Sequence, residues 1–127
     1  MARIIEDAMV ETVSQALLGA IDCDGGPTEE QTAVLRAIIS GYWGRTDIDV
    51  ATLTPLSAKE ARGAITRPDQ RRRTREFMVL LELCRHPLTA TQVDRVEDYC
   101  TELGEADAGL EVTRDLVRDG IEVAMTD

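Results

Sequence analysis

The feature that most limits what this chain can become is the spacing of its apolar residues. They return at every third or fourth position along almost the whole sequence, and no stretch alternates at a period of two. That spacing puts them on one side of a helix and predicts an all-α protein. A first helix is expected from about Ile4 to Ile21, with Ile5, Met9, Val13, Ala16, Leu17, Ala20 and Ile21 facing inward. A second is expected from Glu29 to Trp43, with Val34, Leu35, Ile38, Ile39 and Tyr42 inward. Aromatic residues are only 3% of the chain, so the core must be built from Leu, Ile, Val and Ala. A length of 127 residues fits one domain with a core that needs no staples.

Start and stop signals divide the rest. Thr28 followed by Gln31 is a capping-box pattern for the second helix. Residues 44–70 are the least regular part: Asp47 or Asp49 is expected to cap one short turn, and Pro55 or Ser57 to open another through Ile65. Pro68 suits the first position of a helix with the stripe Phe77, Leu80, Leu81 and Cys84, which Pro87 ends. Thr89 and Gln92 repeat the capping pattern for a helix with Val93, Val96, Cys100 and Leu103 inward and Gly104 as its stop. A last helix over about 107–125, carrying Leu110, Val117 and Ile121, either closes the core or docks on another copy.

An internal echo runs through these signals. When Thr28 is laid on Thr89, Gln31 falls on Gln92, Leu35 on Val96, Ile38 on Tyr99 and Cys23 on Cys84. The expected architecture is therefore a bundle of five to six helices made from two pseudo-repeated hairpins, each burying the other's apolar side.

The formal charge is −10, from 24 acidic and 14 basic side chains. Nucleic acid and anionic membrane would both repel such a surface, which leaves a protein partner or self-association. Three cysteines without a CxxC pair read as reduced, buried thiols rather than a disulfide framework. Glu6, Asp7 and Glu11 stand where a signal peptide would need apolar residues, and no run reaches the length of a membrane span. A cytoplasmic protein is the expectation.

The stretch "DGGPTEE" between two amphipathic helices supplies the pattern D-G-x-x-[S/T]-x-E through Asp24, Gly25, Thr28 and Glu30. It resembles the TerB-like family, named for tellurite resistance, over roughly residues 3–104. That resemblance implies an all-helical domain carrying the motif twice, with acidic residues linked to divalent-metal binding. This chain departs from the pattern at Gln31, where the family often has a second glutamate. It departs again at Arg85 and His86, where the second motif should read Asp-Gly, and at Thr91 in place of the second motif's glutamate.

Three groups of residues are candidates for function. An EF-hand counted from Asp22 fails, because Gly26, Pro27 and Ala33 occupy positions 5, 6 and 12. A looser divalent-cation site from Asp22, Asp24 and Glu30 remains, as does a plain capped helix start favoured by the dipole. The acids around the glycines exclude a phosphate cradle. Arg71, Arg72, Arg73 and Arg75 either pair with the chain's own acids, such as Asp69 and Glu76, or form a protein-contact face. Cys84 and His86, with Asp24, are the polar groups available to a pocket between the two hairpins. The expectation is an acidic interaction module of TerB-like type with an optional divalent cation. The alternative is a small enzyme, or an accessory subunit of one, that uses this pocket.

Overall fold

Residues 13–21, VSQALLGAI, are apolar on nearly every side, and a helix of that kind has to be surrounded. In the computed structural model, which describes residues 4–105, this is what happens. Helix α1 (Asp7–Ile21) is buried at every residue from Ala16 to Ile21 and packs against each of the four other described α-helices. These are α2 (Glu29–Ala37), α3 (Ala58–Ala64), α4 (Pro68–Leu83) and α5 (Ala90–Glu102). There is no strand among the described residues, and none of the described helices is long and apolar enough to cross a membrane. The pairs α1–α2 and α4–α5 touch through α1 against α4 and α5, and through α2 against α4. The helix expected over 107–125 lies outside the described residues.

Local chemistry sets most boundaries. Thr28 and Gln31 form the complete capping box at the start of α2, and Ser57 and Glu60 form another at the start of α3. Pro68 opens α4, and Asp49 caps a short 3-10 turn, Val50–Thr52. The segment ahead of α3 is pinned to the core from two sides. Leu56 N donates to Gln15 O at 3.0 Å, and the Tyr99 hydroxyl donates to Leu56 O at 2.6 Å. Gly19 permits this approach, since a Cβ there would fall onto Leu56 O and the Tyr99 hydroxyl.

Two inward assignments are corrected. Tyr42 is 57% exposed, because α2 passes into a π-helical turn, Ile38–Tyr42, in which Trp43 N donates to Ile38 O at 2.9 Å. One extra residue per turn shifts the inward position from Tyr42 to Trp43, which is buried. Leu80 is 46% exposed, because α4 buries Gln70, Thr74, Met78, Leu81 and Glu82, a face rotated away from the apolar stripe. Polar side chains occupy much of that face. Thr74 Oγ1 donates to Gln70 O at 2.7 Å, and the Gln70 amide donates to Ile4 O at 3.3 Å. The first helix also begins at Asp7 rather than Ile4, although Ile5 is buried ahead of it.

Candidate functional site

The last carbonyls of a helix have no partners within it, and α1 carries no basic residue in its final turn to serve them. They are served from the second half of the chain. Arg95 Nε donates to Gly19 O at 2.6 Å, and Gln92 Nε2 donates to Ala20 O at 2.9 Å. Arg85 Nη2 donates to Ile21 O at 3.2 Å, then onward to Cys23 O at 3.2 Å and Gly26 O at 2.8 Å. Asp24, Gly25 and Gly26 all have positive φ, so the chain reverses tightly there, and glycine takes that backbone without strain.

Two glutamines join this turn to its counterpart. Gln31 Oε1 accepts from Thr28 N, while Gln31 Nε2 donates to Leu81 O and to Gln92 Oε1, each at 2.9 Å. Gln92 Oε1 also accepts from Arg85 Nε at 3.1 Å. Both glutamines are fully buried, and each amide nitrogen and oxygen has a partner. The expected second capping box is therefore only half formed. Thr89 Oγ1 accepts from Gln92 N at 3.1 Å, but the Gln92 side chain reaches across to α1 instead of back to Thr89. The Thr89 hydroxyl donates to Asp24 Oδ2 at 2.7 Å, so the two turns sit directly against each other.

The carboxylates proposed for a cation each have their own surroundings in this arrangement. Asp24 is bonded to Thr89, Glu30 faces His86 Nε2 at 3.9 Å, and Asp22 is exposed. Among the described residues no group of three or more His, Cys, Asp or Glu side chains could hold a metal ion. Cys84 is half-buried and the His86 side chain is 70% exposed. Burial pushes the Cys84 thiol above its ordinary range, and Glu30 pushes in the same direction. Burial also raises the Cys23 thiol, against the lowering influence of Arg85. A nucleophile needs the opposite shift. One cleft of about 180 Å³ lies elsewhere, lined by Glu11, Gln15, Asp47, Asp49 and neighbouring residues. Cys84, His86 and Asp24 do not line it.

The arginine cluster does not form one face. Arg71 is a structural clamp: its Nε donates to Ile65 O at 2.6 Å and its Nη2 to Arg62 O at 2.9 Å, capping the end of α3. Arg72 is exposed, Arg73 lies 3.5 Å from Glu76, and Arg75 lies 3.9 Å from Glu105. A different surface draws attention. Tyr42 and Phe77 meet edge to face with centroids 5.6 Å apart, and Leu80 and Leu83 continue from Phe77 at helical spacing. Leu83 is 52% exposed, so an apolar run crosses the outside of α4.

Arg85, Arg95 and the paired glutamines are absent from the sequence-derived candidates. The 61-residue echo contains the signal for the glutamines, since Gln31 and Gln92 are related by that offset and touch. Arg85 leaves a weaker trace, a basic residue directly after the apolar end of α4. Compared with protein-family models, with curated proteins and with solved structures, the chain matches none.

Proposed function

We propose that this domain is a cytoplasmic helical interaction module of TerB-like type, which works by docking a protein partner and performs no chemistry. The observation that supports the reading best is the run Tyr42, Phe77, Leu80 and Leu83 across α4. Large apolar side chains placed side by side on a surface are characteristic of contact sites. Covering the half of each leucine that is still exposed contributes up to about 1.5 kcal/mol to association. The polar groups that catalysis would recruit are engaged elsewhere: Asp24 with Thr89, and the Arg85 guanidinium with the carbonyls of the first turn. The resemblance in "DGGPTEE" adds a family in which an all-helical domain is expected. A divalent cation is left out of the reading, because Asp24 is bonded to Thr89 and a positive group already stands at that turn.

The test is purification of the tagged protein from its own cells beside a Leu80→Ser/Leu83→Ser variant of equal charge. Partners are read by mass spectrometry and metals by elemental analysis. A partner enriched with the parent chain and absent with the variant supports the reading. Equal recovery with both chains sinks the docking face, and a stoichiometric metal restores the cation form.

A further inference from the structure

We propose that the turn over residues 21–26 is a cation seat built of backbone carbonyls, and that the Arg85 guanidinium is its permanent occupant. Three carbonyl oxygens converge on one nitrogen, Nη2 of Arg85: Ile21 and Cys23 at 3.2 Å and Gly26 at 2.8 Å. That nitrogen has two hydrogens for three acceptors, and two of these, Ile21 O and Cys23 O, also accept from Cys23 N and Gly26 N at 3.0 Å. What gathers all three carbonyls on one nitrogen is charge against their dipoles, as hard cations are held in oxygen cages. A fourth oxygen, Gln92 Oε1, accepts from Nε of the same guanidinium at 3.1 Å. The negative end of the α1 dipole points at the same place.

The seat is built before the occupant is considered. Positive φ at Asp24, Gly25 and Gly26 reverses the chain after α1, and Gly26 O ends up facing the same point as Ile21 O and Cys23 O. Arg85 is only 5% exposed, and a charge so enclosed persists only where its surroundings compensate it. The occupant reaches the seat from 59–64 residues away in sequence. A cation bound there therefore also joins the two halves of the chain, and because it is covalent it cannot be chelated or diluted away.

Chemical rescue tests it. Arg85→Ala is melted in sodium chloride and in guanidinium chloride of equal ionic strength, beside the parent chain and a urea control. The variant is expected to melt about 10 °C or more below the parent. Guanidinium at about 20 mM should raise the variant's melting temperature by a few degrees in a saturating manner, while the parent gains nothing. Equal lowering of both chains by guanidinium would overturn the seat, as would a variant that melts with the parent. If Arg85→Ala fails to fold, refolding yield in guanidinium against sodium gives the same reading. Arg85→Met keeps length without charge: melting with the parent would reduce Arg85 to packing and overturn the proposal. A rise in the parent's melting temperature with millimolar Ca²⁺, reversed by chelator, would overturn it too, since a filled seat takes no second cation.

Discussion

The turn after α1 and the turn after α4 stand at matching places in a 61-residue offset, and they do opposite work. Both are followed by a threonine that caps the next helix and by a glutamine three residues on. The first offers carbonyls from Ile21, Cys23 and Gly26, and the second offers the guanidinium that takes them. Gln31 keeps its oxygen for the local capping box, whereas Gln92 turns its whole amide away from its own cap, to Arg85, Gln31 and Ala20 O. The contrast teaches that two like turns pressed together cannot stay alike. Two aspartates at the positions of Asp24 and Arg85 would repel, and two acceptor-rich turns would leave carbonyls unserved. Donor on one side and acceptor on the other lets both be buried.

Several changes would break or sharpen that contrast. Gln92→Ala removes the acceptor shared by Gln31 and Arg85 and the donor to Ala20 O, and is expected to cost roughly 4 kcal/mol in a urea-unfolding measurement. Gln31→Ala leaves Arg85 in place and should cost about 2–3 kcal/mol by the same measurement. If the two losses were equal, the asymmetry between the glutamines would be gone.

Smaller effects separate the caps. Thr28→Ala and Thr89→Ala should each cost about 1 kcal/mol as lost N-caps. Only Thr89→Ala should also release Asp24, seen as a change in the Asp24 chemical shifts by NMR at neutral pH. The smallest effect falls far from both turns. Arg45 grips Asp47 at 2.8 Å and holds its carboxyl at about 2, below the ordinary value of 3.8. A carboxyl lowered on folding contributes stability above its unfolded value and loses it as pH falls towards the folded one. Asp47→Asn should therefore lower stability slightly at neutral pH and flatten the acid limb between about pH 4 and 2, where parent and variant converge.

Much of the fold is legible in the sequence because its signals act over three or four residues. Thr28 with Gln31, Asp49, Ser57, Pro68 and Thr89 all stand where the expected helix or turn starts require them. The site is far less legible. Arg85, Gln92 and Arg95 act across 59–76 residues, and nothing beside them in sequence announces a carbonyl waiting on α1. A stripe drawn through apolar residues alone puts Leu80 inward. In the structure α4 turns Gln70 and Thr74 inward, because their side chains can bond to backbone oxygens there. Arg71 shows the same limit: the cluster "QRRRTRE" reads as surface, yet one of its members ties off the end of α3.

The π-helical turn at Ile38–Tyr42 has a practical outcome. By swinging the chain's sole tryptophan inward, it seats the indole 5.3 Å from the Phe77 ring and 6.2 Å from Tyr42. Trp43 emission is thus a single built-in optical probe lying beneath the apolar run on α4. Any ligand that settles over Phe77 and Tyr42 should alter that emission, with no label attached.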